Sequence, residues 1–372
     1  MKGIWITELP APGAGRKLAV KDLFDTAGVR TTYGSKVFAG HVPAKTASAV
    51  RLLEAGGYAI AGKSNLHEFA FGITSQNPHY GTVPNPRFPG RTAGGSSGGS
   101  AAALVTGEAE LGLGSDSGGS IRIPAACCEV VGFKPSFGLV PVDGCFPLAP
   151  AYDHVGPLAA DVAGCAEAME ALAQVALPAL DAVADLSVGA CWLERAEPEV
   201  ANVVGAVAQR LGARPVAVPL PDGVIPAFQA EIADTHRELF ARHRDRYGEN
   251  VGTKIASCME VTEAEAQAAR DQRERYREGF ERAISGLDLL IVPTLPVAPP
   301  PAASSELEVR ARMTELTFPL NVVGAPALAL PCGRTETGLP VSIQVIGRPG
   351  DDGLVLQASA GIESLLRHTS AP

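Results

Sequence analysis

The chain has 372 residues, 46% of them hydrophobic, with Gly 41 and Pro 30, which is enough apolar material for a core and enough Gly and Pro for many special turns without suggesting disorder. Its formal net charge of −9 argues against a nucleic-acid footprint, and seven cysteines without C-x-x-C spacing argue against both a disulfide framework and a zinc site. With no signal-peptide pattern and no apolar run approaching about 18 residues, the expected setting is a reducing cytoplasm, away from membranes.

In chain order, short apolar runs predict strands at KLAVKDL (17–23), YAIAG (58–62), LGLGS (111–115), SVGACWL (187–193), PVAVPL (215–220), DLLIVP (288–293), ALALP (327–331) and VSIQVIG (341–347). Between them KTASAVRLLEAG, VANVVGAVAQRLGA and GLVLQASAGIESLLRH carry helical periodicity, the first two followed closely by Gly. A long helix is expected over 262–286, with Tyr276, Phe280 and Ile284 on one face and a solvated charged face opposite. The alternation implies an α/β protein, and the absence of linker or repeat implies one domain over 1–372.

Several motifs suggest chemistry that their context does not support. GYAIAGKS (57–64) has the phosphate-loop pattern, but such a loop follows a strand and leads into a helix, whereas here a helix ends at Gly56 and the intervening residues are themselves strand-like. GSSGG (95–99) fits the nucleophile elbow, with Ser97 as nucleophile and His154 or His368 as base, yet a Pro-rich loop stands where a strand is required. His236 and His243 share a polar helical segment and are expected on its solvated face. No metal and no cofactor are expected.

Two Gly-Ser clusters remain, GGSSGGS (94–100) and SDSGGS (115–120). Glycine allows backbone to approach a ligand closely, and consecutive N–H groups in such a turn form an anion-binding concavity, so 115–120 is a candidate oxyanion hole with a hydroxyl at its end. The first cluster leads into AAALVTGE, where Ser100 is expected as a helix N-cap; for Ser96 and Ser120 the competing reading is a tight turn. A serine nucleophile needs a base, and local sequence positions no histidine for it. Lys21 interrupts the apolar strand LAVKDLF, and a lysine made neutral by burial is the alternative to a lysine that points to solvent.

The blocks AVKDLFDTAG, AGKSNLHEFAFG, GGSSGGSAAAL, GLGSDSGGSIRIPAACCEVVGFKPSFG, DHVGPLA and NVVGAPALALPCG…GLPVSIQVIGRP, in this order, resemble the amidase signature family. They occupy 17–160 and 288–349, with a less characteristic middle over 161–287. The resemblance implies a central mixed, twisted sheet flanked by helices. It also implies a triad of Lys21 as base, Ser96 as relay behind a cis peptide bond, and Ser120 as nucleophile, with spacings of 99 residues from Lys21 to Ser120 and 24 from Ser96 to Ser120.

By the same resemblance the N–H groups of Ser117, Gly118, Gly119 and Ser120 line the oxyanion hole, while Ser97 and Asp116 support the two turns. Arg122 is expected to brace the second turn or to form an ordinary buried ion pair. The acyl pocket is expected near FGITSQ, DGCFPLAPAYD and the middle region, with Gly72, Ile73, Thr74, Phe146 and Tyr152 as candidates. No fixed cation in those segments advertises a carboxylate-bearing substrate, so a small neutral or aryl amide is expected; ureas, carbamates and esters are the family's other substrates.

Only 20 residues precede Lys21, so the N-terminal membrane helix of some members has no expected counterpart. The alternative function is that of an A-type amidotransferase component that needs a partner, and a homodimer is an open possibility.

Overall fold

The computed structural model describes residues 2–10, 15–176 and 183–367. Among them, eleven strands form one mixed sheet: β1 (Trp5–Glu8), β2 (Arg16–Lys21), β3 (Tyr58–Ser64), β4 (Leu111–Asp116), β5 (Val131–Lys134), β6 (His154–Ala159), β7 (Val188–Ala190), β8 (Arg214–Pro215), β9 (Leu289–Pro293), β10 (Ala327–Arg334) and β11 (Pro340–Ile346). Their spatial order is β1-β3-β2-β4-β6-β5-β10-β11-β9-β7-β8. Strands β3, β2 and β4 are mutually parallel, as are β9, β7 and β8, and the pairs between these groups are antiparallel.

Helices cover both faces because strand side chains alternate. Leu18 and Val20 of β2 join the large apolar cluster, which also takes Val50 and Leu53 from α1 (Ser48–Ala55), Val162 and Met169 from α4 (Val162–Ala173) and Leu356 and Ile362 from α10 (Asp352–Arg367). Ala19, between them, faces the opposite side and packs with Ala101 to Ala103 of α2 (Gly98–Val105) and Ala125 of α3 (Arg122–Cys128). The same alternation sends Lys21 to the α2–α3 side. The register Val20↔Leu113 brings the end of β2 level with the end of β4, so Lys21 and Ser115 lie at the carboxyl edge of two adjacent parallel strands.

Helices α5 (Pro198–Arg210), α6 (Ile225–His243), α7 (Glu249–Cys258) and α8 (Glu263–Ala283) form the middle of the chain. The capping box of Thr262 and Glu265 starts α8, whose Tyr276 and Phe280 are buried and whose C-cap is Ile284. No helix among the described residues is long and apolar enough to cross a membrane, and no group of His, Cys, Asp and Glu among them could hold a metal ion.

Several local expectations change. PVAVPL is strand only at Pro215, and Val216 adds one further bond to Ala190 O at 3.0 Å; Pro215 and Pro219 have no N–H to continue a ladder. GYAIAGKS is no phosphate loop but mostly β3 itself, with Lys63 buried and donating to Thr31 Oγ1 at 2.8 Å and to Phe24 O. Ser100 is not a cap: it lies inside α2, with its Oγ 2.8 Å from Ser64 Oγ, and the cap position falls to Ser97, whose side chain makes no cap bond. His236 is fully buried rather than solvated, because α6 turns that face onto Phe69 and Phe146 and pairs its Nδ1 with Tyr247 Oη at 3.0 Å.

Candidate active site

Lys21 leaves β2 with no exposed surface, its Nζ 2.7 Å from Ser96 Oγ and 2.8 Å from Ser115 Oγ. Burial drives its amine down to about 7, against Cys145, Asp116 and Asp153, which favour the charged form. Among the described residues its close partners are hydroxyl oxygens and one carbonyl, Ser115 O at 3.5 Å, and no carboxylate there fixes its charge by direct contact.

Ser96 follows a cis Gly95–Ser96 peptide. Ser75 fastens this turn: its Oγ donates to Ser96 O at 3.3 Å and accepts Gly98 N–H at 3.2 Å. A Cβ at Gly95 would sit 2.8 Å from Ser75 N, so glycine is required by close approach. The turn also touches the second cluster directly, through Ser97 N–H to Ser120 O at 3.1 Å and Ser97 Oγ to Ser115 O at 3.3 Å. Lys21, Ser96 and Ser120 are thus gathered from β2, the turn before α2 and the turn before α3.

Ser97 does not follow a strand and pairs with a backbone carbonyl, and the His154 ring places Nδ1 beside Tyr152 O at 2.7 Å and Asp116 O at 3.2 Å, so these two form no elbow pair. His368 lies outside the described residues.

The turn 115–120 is built around a buried ion pair. Arg122 and Asp116 are both fully buried, 2.8 Å apart at Nη2 and Oδ1, with Arg122 Nε 3.0 Å from Oδ2. Arg122 also donates to Thr317 O at 2.9 Å, Gln344 Oε1 at 2.7 Å and Asn321 Oδ1 at 2.7 Å, so it both braces the turn and forms the ion pair. Burial pushes the Asp116 carboxyl up, but the charge and hydrogen bonds of Arg122, with Lys134 and Asn321, hold it well below the usual carboxylate range.

Asp116 Oδ1 accepts Gly119 N–H at 2.8 Å, which removes Gly119 from the expected oxyanion donors and leaves Ser117, Gly118 and Ser120. Gly119 adopts φ +127, and a Cβ there would meet Thr317 Oγ1 at 2.3 Å. Thr317 in turn donates to Gly118 O at 2.7 Å, which fixes the peptide that follows.

Ser120 is 6% exposed and opens onto a cavity of about 270 Å³. Ser117, Gly118, Gly72 and Ile73 line it near Ser120, and Phe228, Phe318, Leu148, Ile225 and Leu307 make the apolar wall. Three expected pocket residues fall elsewhere. Thr74 is buried behind the wall, its carbonyl accepting Thr92 Oγ1–H at 3.2 Å. Tyr152 is fully buried between Phe228 and Phe318, and Phe146 packs among Tyr33, Phe38 and Phe69.

The cavity also holds two cations that sequence reasoning did not anticipate, Lys254 of α7 and Arg310 of α9 (Glu306–Thr314). Each stands 4.7 Å from the centre of the Phe71 ring and shares the buried carboxylate of Glu306, Lys254 at 3.0 Å and Arg310 at 3.4 Å. Lys254 also donates to Phe71 O. Burial, then the charge of Arg310, lower the Lys254 amine to about 7, with Glu306 opposing.

Also unforeseen were Ser115, Ser75, Thr317, Asn321 and Gln344. The one available signal was a polar residue within an apolar run, as for Ser115 in LGLGSD and Gln344 in VSIQVIG.

A family model described as Amidase matches residues 11–191 and 174–356. The chain is 35% identical to AtzE, the 1-carboxybiuret hydrolase component of Pseudomonas sp. strain ADP, over 94% of this chain and 84% of that one. It is 33% identical to the A-type component of the glutamyl-tRNA(Gln) amidotransferase of Haloarcula marismortui, over 94% and 95%. Among solved structures, a crystal structure of an amidase superposes with a TM-score of 0.87 at 36% identity, covering 94% of this chain and 84% of that one. The A-type component of the Thermotoga maritima glutamyl-tRNA(Gln) amidotransferase superposes at 0.82 with 28% identity, covering 97% and 87%.

Proposed function

Since the chain belongs to the amidase signature family, as an enzyme acting on C–N bonds, we propose that it hydrolyses a small amide through an ester on Ser120, with Lys21 as proton acceptor and Ser96 as relay. The observation that carries this is the fully buried Lys21 amine, 2.7 Å from Ser96 Oγ. Neutral Lys21 takes the proton of Ser96 as Ser96 takes that of Ser120, and Ser120 Oγ attacks the amide carbon. The developing oxyanion meets the N–H groups of Ser117, Gly118 and Ser120. The proton returns along the same path to the leaving nitrogen, and water then hydrolyses the ester. A fluorophosphonate is expected to label Ser120, read by peptide mass mapping; a label on Ser97 would overturn the assignment.

The acyl part of the substrate packs against apolar residues and carries an anionic group. The first half of this matches the neutral or aryl amide expected from sequence, and the second departs from it because Lys254 and Arg310 stand in the cavity. Beside one carboxylate, Glu306, they leave a net positive charge whenever Lys254 is protonated. The relative named for 1-carboxybiuret hydrolysis carries a carboxylated substrate in its name.

Lys254→Met is expected to raise KM for a carboxylate-bearing amide about tenfold or more, in line with the roughly 1.5–3 kcal/mol of a hydrogen bond to a charged group, and to leave KM for a neutral amide little changed. In the wild type, KM for the carboxylate-bearing amide rises as pH passes above about 7, where Lys254 loses its proton. Equal KM in both proteins for both amides would remove the anionic end from the proposal.

Similarity to the A-type components of amidotransferases supports a second reading, in which the same chemistry releases ammonia for a partner. The purified chain turning over a panel of amides alone favours the hydrolase; activity that appears only with a partner favours the amidotransferase component.

A further inference from the structure

A second cavity, also of about 270 Å³, lies beside the first, and Ser117 and Leu148 line both. One carboxylate fastens this shared wall. Asp153 Oδ1 accepts Ser117 Oγ–H at 2.5 Å, its Oδ2 accepts Leu148 N–H at 2.9 Å, and Ala149 N–H reaches both oxygens at 3.2 Å.

Among the described residues, the lining of this cavity is rich in hydrogen-bond acceptors and bears no cation. Asp143 and Asp153 contribute carboxylates, and Ser115 contributes the hydroxyl that also meets Lys21. His154, 3% exposed, lines it as well. Its Nδ1 faces the carbonyls of Tyr152 and Asp116, which can only accept, and nearby Asn321 Nδ2, 3.4 Å away, has closer acceptors in Asp116 O and Oδ1 at 2.8 and 2.9 Å. Nδ1 therefore carries the proton and Nε2 is bare. No partner reaches that buried Nε2 among the described residues, and burial together with Lys134 holds the ring neutral. The two cavities thus sort charge: cations line the first and carboxylates the second.

We infer that the second cavity receives the leaving group, and that this group is ammonia or a small primary amine. The inference rests on the amidohydrolase reading above. As the tetrahedral adduct collapses, the C–N bond breaks with its electron pair going to nitrogen, which takes the proton held by Lys21 and relayed by Ser96. The released amine gains a further proton from water and passes as a cation between Asp153 and Asp143.

The reverse direction supplies the test. An added amine enters by the same cavity, its nitrogen lone pair forms a bond to the ester carbon, and the C–Oγ bond of Ser120 breaks. The amine's surplus proton returns to Ser120 Oγ through Lys21 and Ser96. With a primary amide as substrate and methylamine as acceptor, the ratio of N-methylamide to acid measures this entry independently of how fast the ester forms.

Val142, 45% exposed at the second cavity, tolerates enlargement, and Val142→Trp is expected to lower the ratio at least tenfold. Asp143→Lys, which introduces a cation at an exposed position, is expected to lower it too, whereas Ile225→Trp at the acyl cavity leaves it unchanged. An unchanged ratio in folded Val142→Trp and Asp143→Lys, or a fall in Ile225→Trp alone, overturns the inference while Ser120 still forms its ester. Absence of any Ser120 ester in the wild type overturns the amidohydrolase reading instead.

Discussion

Lys21→Arg is expected to lose amide hydrolysis as fully as Lys21→Ala, each by about 10²- to 10⁴-fold in kcat, the usual contribution of a positioned acid–base group. Arginine keeps the charge but cannot give up its proton near neutral pH, so a lysine that served only by its charge would tolerate Arg better than Ala. The wild-type profile supplies the companion readout. Burial places the Lys21 amine at about 7, so the protonated, inactive form dominates below that pH and kcat rises as pH increases through it. That limb is expected to vanish from any residual activity of either variant. Both are measured on the best amide substrate, with circular dichroism to check the fold; substantial turnover by Lys21→Arg would rule out Lys21 as the proton acceptor.

Arg122→Met is expected to destabilise the protein by about 3–5 kcal/mol, read as a fall in the denaturant midpoint, because it leaves the Asp116 carboxylate buried and uncompensated. The loss goes beyond one pair, since Arg122 also holds Thr317 O, Asn321 and Gln344. Replacing both charges, as Arg122→Met with Asp116→Leu, is expected to recover part of that stability but no activity, since Gly119 N–H then loses the acceptor that shapes the turn. A midpoint for Arg122→Met within experimental error of the wild type would show that the pair contributes little.

The residues on which the chemistry is proposed to rest stood out because each breaks a local rule, but it was the resemblance to a family that joined them into a triad. Lys21 is a charge in an apolar strand, and Ser96 and Ser120 sit in Gly-rich turns that form neither strand nor helix. Of their supports, Ser97, Asp116 and Arg122 were expected from the resemblance, but Ser115, Ser75, Thr317, Asn321 and Gln344 were not, because such support is a property of register and packing. Ser115 meets Lys21 only because Val20 pairs with Leu113 across two parallel strands, and nothing within LGLGSD announces that alignment.

Lys254 and Arg310 were hidden for a related reason. Each belongs to a helix that also carries exposed charge, Glu249 on α7 and Glu308 on α9, and only the packing of α7 and α9 around Phe71, with Glu306 buried between them, turns these two inward. Among the strands, ALALP was clear from its unbroken apolar character and VSIQVIG from the alternation of Val and Ile with polar residues, whereas Val131–Lys134 and His154–Ala159 are short, interrupted by Gly or Pro, and gained their state from neighbours on both sides.

The contacts of Arg122 with Asn321 and Gln344 span 199 and 222 residues of chain. Lys21, Ser96 and Ser120 have therefore all been synthesised long before the groups that lock the oxyanion turn leave the ribosome. Closing loops of that length is a late and slow event in folding. A nascent chain that already bears all three side chains is therefore expected to be inert until the segment carrying Asn321 and Gln344 has been made and has docked.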